Sequence, residues 1–151
     1  MILTETIRKK EDEVGHTRTV LVGDLNMNPF EDGVVSSTGL HAVMTRKIAE
    51  KKSRIVQDNE YLYFYNPMWS LFGDGSKGPP GTYYYYKAEH KVYFWNIFDQ
   101  VLLRPDLIDF FSNDDLMILD SDGKNVLLSS QGIPDINVAS DHLPIYFTLN
   151  L

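Results

Sequence analysis

The sequence predicts a single globular domain of mixed α/β (α+β) class. Three observations predict it: a charged opening, 1–14, with apolar residues at helical spacing; a β-branched aliphatic run, 19–25, cut off by a polar loop; and an alternating apolar segment, 145–149. The chain has 151 residues, 43% hydrophobic, 13% aromatic and 23% charged, which suits one domain with its own core and excludes disorder over most of the length. No apolar run is long enough to span a bilayer, and the opening lacks the basic start and apolar middle of a secretory signal. Zero cysteines exclude a disulfide framework, a thiolate nucleophile and sulfur-ligated zinc. The net charge of −7 is unevenly spread: residues 1–60 hold nine Lys or Arg against ten acids, and residues 61–151 hold five against eleven. That balance argues against unaided binding of phosphate backbones by the second part.

In the opening segment Ile2, Leu3, Ile7 and Val14 follow a loose helical period, and Gly15 stands where a left-handed helix stop belongs. TVLVGDL at 19–25 is apolar on both faces, so a strand buried inside a sheet is expected. NMNPFEDG then marks a loop at the strand's carboxyl end. A short helix is expected at 30–36 and a longer one at 41–54, where Arg46, Lys47, Lys51, Lys52 and Arg54 read as a solvated basic face. YLYFY at 61–65 is strand-like, 66–81 is a loop rich in Gly and Pro, and TYYYYK at 82–87 resumes strand character. Alternate strand residues point to opposite faces, so at most two of those tyrosines can share a surface; ordinary sheet residues are the expectation, rather than a base-stacking platform. VYFWNIFDQVLL at 92–103 is apolar except for Asp99 and a few amides, and a carboxylate in such a strand requires a partner. Residues 105–135 alternate short apolar pieces with acidic turns, and 140–151 form a polar turn followed by a terminal strand, 145–149.

Three polar groups interrupt these strands: Asp24 with Asn26, then Asp99, then Ser140, Asp141 and His142. Each alone is accounted for by turns, caps or structural hydrogen bonds. Together they contain what metal-assisted phosphoester hydrolysis needs: carboxylates for a hard cation, an amide for a phosphate oxygen and a histidine held by an acid.

GDLNMNP at 23–29, FDQVLL at 98–103 and SDHLPIYFTL at 140–149 resemble, in order and approximate spacing, three motifs of the endonuclease/exonuclease/phosphatase superfamily. They correspond to its GDFNxxP signature, its strand with a single aspartate and its closing SDHxP element. Leu25 replaces the usual Phe, and Gln100 stands where an aromatic is common. The resemblance implies a DNase I-like fold, a four-layer α/β sandwich, present here as a partial, C-terminal domain over 1–151 with a mixed β-sheet. No QE pair, the family's principal metal-binding element, occurs anywhere in the chain.

Carried onto matching positions, the resemblance implies that Asp24 orients or deprotonates the attacking water and Asn26 hydrogen-bonds a nonbridging phosphate oxygen. Asp99 would hold His142, His142 would stabilise the charge growing on the phosphoryl oxygens, and Asp141 would help anchor magnesium or manganese. The implied activity is that of a metal-dependent hydrolase, a phosphodiesterase or phosphomonoesterase, weak or absent in this chain alone because magnesium affinity should be poor. The implied substrates are nucleic acid, inositol phosphates or phospholipid headgroups. A partial domain would expose apolar strands and favour homo-oligomers or strand exchange. The alternative is a noncatalytic interaction module that kept the fold and binds a partner through an exposed sheet edge.

Overall fold

A computed structural model describes residues 2–151. Helix α1, Ile2–Val14, ends where Gly15 turns to φ +74 and its N–H donates to the Glu11 carbonyl at 2.9 Å, the left-handed stop expected there. Met1 lies outside the described residues. Strand β1, Val20–Asp24, pairs antiparallel with β8, Asp99–Leu103. Beyond β8 lie β5, Phe64–Tyr65, and β2, Ala42–Val43, which runs parallel to β5. The chain is thus mixed α/β with one mixed four-stranded sheet and few helices.

Alternation along these strands makes two cores. One face carries Val101, Leu103 and Tyr65 against Ile97, Met68, Ile108 and Leu143. The other carries Leu102, Phe64 and Ala42 against Val34 of α2, Asp32–Val35, and Ile7 of α1. Two-stranded ladders flank the sheet: β3, Ser53–Val56, with β4, Asn59–Leu62; β6, Tyr83–Tyr85, with β7, Phe94–Asn96; and β9, Met117–Ile118, with β10, Ile145–Tyr146. No helix among the described residues is long and apolar enough to cross a membrane.

Four expectations are corrected. The strand over 19–25 is not interior: β1 lies at one end of the sheet order, with no strand paired to its outer edge among the described residues, and Val22 is 52% exposed. The helix expected over 41–54 shrinks to α3, Arg46–Ala49. Before it, His41 takes φ +55 and Ala42–Val43 joins the sheet; after it, β-branched Ile55 and Val56 enter a hairpin turned by Gln57 and Asp58 at φ +49 and +61. The basic face is only partly solvated. The Arg46 guanidinium donates to the carbonyls of Ile108 at 2.9 Å and Phe111 at 2.7 Å and to Asn113 Oδ1 at 2.9 Å, with the Tyr65 and Phe111 rings beside it. The terminal strand is also shorter than 145–149, ending at Tyr146.

Arg104, just past β8 and 2% exposed, fastens α1 to the sheet. Its Nε and Nη2 donate to the two oxygens of buried Glu11 at 2.8 and 3.0 Å, its Nη1 to the Leu62 and Tyr63 carbonyls, and its guanidinium carbon lies 3.9 Å from the Phe64 ring centroid. Removing one member of a buried pair leaves an uncompensated charge. Glu11→Ala is therefore expected to lower unfolding stability by about 3–5 kcal/mol in urea titrations, whereas the double change Glu11→Leu with Arg104→Met recovers most of that loss.

His41, also buried, is fixed as the neutral imidazole: its Nδ1 lies 3.3 Å from the Leu62 carbonyl, and its Nε2 accepts from Arg54 Nε at 2.8 Å. Burial holds its pKa below the usual 6.5; the Leu62 carbonyl opposes that, and Arg54 and Arg8 add to it. The unfolded chain therefore binds this proton more readily than the native one, and stability rises with pH across the window. The contribution is present above the unfolded value of about 6.5 and is lost as pH falls from there through the depressed native value. Stability measured between pH 7.5 and 5 should fall less steeply for His41→Gln than for the parent chain.

Candidate functional site

The pairing of β1 with β8 sets Asp24 directly opposite Asp99. Leu25 N–H donates to the Phe98 carbonyl at 2.8 Å and Arg104 N–H to the Thr19 carbonyl at 3.0 Å. Hydrogen-bonded and non-hydrogen-bonded pairs alternate along an antiparallel ladder, so Asp24 and Asp99 form a non-hydrogen-bonded pair, with Cα atoms roughly 4.5 Å apart and side chains on one face. Two carboxylates so placed repel unless each is engaged. Asp24 Oδ1 accepts the Asn26 backbone N–H at 2.8 Å, and its Oδ2 lies 3.3 Å from Asn26 Nδ2. Asp99 Oδ2 lies 2.7 Å from His142 Nδ1. A carboxylate accepts only, so Nδ1 carries the hydrogen and Nε2 is left to face outward chemistry.

Local sequence makes this possible. Gly23 takes φ +148, which side-chain-bearing residues rarely adopt, and Asn26 takes φ +50, which Asn tolerates better than most. The backbone thereby folds back so that Asn26 closes a turn onto Asp24. His142 arrives on the segment before β10, where its N–H donates to Ser140 Oγ at 3.1 Å and it bridges to Tyr83. The Tyr83 ring lies 4.7 Å from the imidazole centroid. The structure thus brings Asp24, Asn26, Asp99 and His142 onto two adjoining strands and one returning loop. Asp141 sits one residue earlier, exposed, with its Oδ1 3.4 Å from Ser140 Oγ.

The expected magnesium or manganese finds little in this donor set. No group of three or more His, Asp or Glu side chains that could hold a metal occurs among the described residues, and Asp141 supplies one carboxylate from an exposed turn.

Several supporting residues escaped the sequence reading. Thr82, fully buried, receives on its hydroxyl the N–H groups of Phe98 at 3.1 Å and Asp99 at 3.2 Å. Its own N–H donates to the Asn96 carbonyl and its carbonyl accepts from Leu143 N–H, both at 2.8 Å. One residue therefore touches the strand of Asp99 and the segment of His142. Beside it Gly81 passes so close to β7 that a Cβ would meet the Asn96 carbonyl oxygen at 2.7 Å.

The loop after β1 is clamped by amides. Asn28 donates to Asn96 Oδ1 at 2.9 Å and accepts from Ile97 N–H at 2.9 Å, while its backbone N–H donates to Glu31 Oε1. Gln100 Nε2 donates to the Met27 and Ile97 carbonyls, and its Oε1 accepts from Asn66. The signal was present: Asn66, Asn96 and Gln100 stand inside apolar or aromatic runs, as Asp99 does, and buried polar groups need partners there.

No protein-family model, curated protein or solved structure matches this chain.

Thr82→Val keeps the volume but removes the acceptor from two backbone donors. It should cost about 1–3 kcal/mol for each buried group left unpaired. It should also broaden or move the imidazole Nδ1 proton resonance of His142, while Thr82→Ser preserves both stability and resonance.

Proposed function

We propose that this chain is a phosphoesterase of the endonuclease/exonuclease/phosphatase type, a partial, C-terminal domain of the DNase I-like four-layer sandwich. The observation that carries the reading is the 2.7 Å contact between His142 Nδ1 and Asp99 Oδ2, beside a strand pair that sets Asp24 opposite Asp99. Residues far apart in sequence, each from a different motif, meet as an acid–histidine pair with a second carboxylate and an amide at hand.

In this reading water attacks phosphorus in line with the leaving oxygen. The Asp24 carboxylate takes the water proton as the new P–O bond forms and the bond to the leaving oxygen breaks. Asn26 keeps one side-chain N–H for a nonbridging oxygen while the other engages Asp24. His142 Nε2 faces the phosphoryl oxygens as a donor when the ring is an imidazolium, and the Asp99 carboxylate fixes the ring. Divalent magnesium or manganese would supply further charge neutralisation at the phosphate, with Asp141 the residue of this chain that would contribute to holding it.

A second reading draws on β1 at the sheet edge and on half-exposed Val22: a noncatalytic module that binds a partner strand there. The two readings part on one assay. Hydrolysis of bis(p-nitrophenyl) phosphate at high protein concentration with manganese should be slow but measurable, and Asp24→Ala or His142→Ala should lower it about a hundred-fold or more. Rates that both variants leave unchanged would remove the hydrolase reading and favour the binding module.

A further inference from the structure

The side of β6 that meets His142 continues away from it as a row of rings. Tyr83 lies 4.7 Å from the His142 ring and 5.3 Å from Phe98, nearly parallel to the latter at 22°. Tyr85 follows at 6.4 Å, 25° from the plane of Tyr83, and the Lys87 ammonium stands 5.6 Å from the Tyr85 centroid. Tyr83 and Tyr85 share a side because strand residues alternate, and Lys87, past the end of β6, reaches the Tyr85 ring; Tyr84 pairs instead with Tyr86 and Trp95. The Tyr85 hydroxyl donates to Glu89 Oε1 at 3.0 Å, which fixes the ring's tilt. Tyr83 and Tyr85 are half-buried and Lys87 is exposed.

An imidazole, two phenols and an ammonium in sequence offer π surface with a cationic group at each end, the imidazole when protonated. We propose that this row is a base-stacking subsite and that the site takes a short single-stranded nucleotide chain, with the reacting phosphate at His142, a base on Tyr85 and a flanking phosphate near Lys87. This inference rests on the phosphoesterase reading and names its substrate class. Stacking on aromatic side chains tolerates any base and needs few phosphate contacts. Few are on offer: residues 61–151 hold five Lys or Arg against eleven acids, and Lys87 is the cation in this row. An inositol phosphate presents several phosphates and no flat ring, and a phospholipid headgroup presents no flat aromatic ring either, so neither uses what the row provides.

The test compares two dye-labelled oligomers of equal charge, tetrathymidylate and a tetramer of abasic tetrahydrofuran units, by fluorescence anisotropy with the full chain in EDTA. The base-bearing oligomer should bind about five-fold to a hundred-fold more tightly. Tyr85→Leu should erase that preference, Tyr85→Phe should keep it, and Tyr84→Leu on the other side should leave it intact. Equal affinity for the two oligomers, no saturable binding of either, or a preference that survives Tyr85→Leu overturns the inference. If the oligomers bind alike while Asp24→Ala still abolishes hydrolysis of bis(p-nitrophenyl) phosphate, only the substrate class is wrong. If Asp24→Ala leaves hydrolysis unchanged, the phosphoesterase reading fails and the inference falls with it.

Discussion

Antiparallel pairing between Val20–Asp24 and Asp99–Leu103 is the constraint from which the candidate site follows. Side chains alternate with period two, so a slip of one residue would turn Asp24 to the opposite face from Asp99 and move Leu102 and Val101 out of their respective cores. Burial of Val101, Leu102 and Leu103 at 0% exposure makes such a slip costly. Apolar residues at one end of the ladder therefore hold the register that matters at its polar end. Local packing and the placement of the carboxylates are a single requirement.

Thr82 and the Asn–Gln clamp convert that register into a three-dimensional site. The strand pair alone brings two aspartates together and says nothing of His142. Thr82 supplies the missing link, since its backbone and hydroxyl bind the Asn96 carbonyl, the turn into β8 and the residue after His142. The amides of Asn28, Asn66, Asn96 and Gln100 do the same for the loop after β1. Every buried side-chain nitrogen and oxygen among the described residues finds a partner, so these polar residues cost the interior little.

Much of this was legible from residue order, and the failures have physical causes. Gly15 announced the end of α1, and the lone acid in an apolar strand announced a partner for Asp99. The alternation rule separated Tyr83 and Tyr85 from Tyr84 and Tyr86. Helical spacing misled over 41–54 because tertiary pairing of Ala42–Val43 with Phe64–Tyr65 outweighs local propensity, and long-range pairing leaves no local mark. Interior placement of β1 was read from two apolar faces, but composition does not reveal whether an edge is paired. Arg46 looked like one more solvated cation, and only the fold reveals the carbonyl oxygens of Ile108 and Phe111 that receive it. The aspartates and histidine are chemically conspicuous in the sequence; Thr82 is not, and only the fold shows its hydroxyl receiving the Phe98 and Asp99 N–H groups.

The clamp around the loop after β1 has a consequence for how the molecule meets changing surroundings. Its four inner members are carboxamides, which neither gain nor lose protons across the biological range, and Glu31 alone at its rim carries a charge. Neutral hydrogen bonds inside a protein are also little affected by dissolved ions, in contrast to separated surface charges. Acidification or added electrolyte thus leaves these four carboxamides as they are, so the loop beside Asp24 keeps its inner fastening while charges elsewhere in the molecule respond.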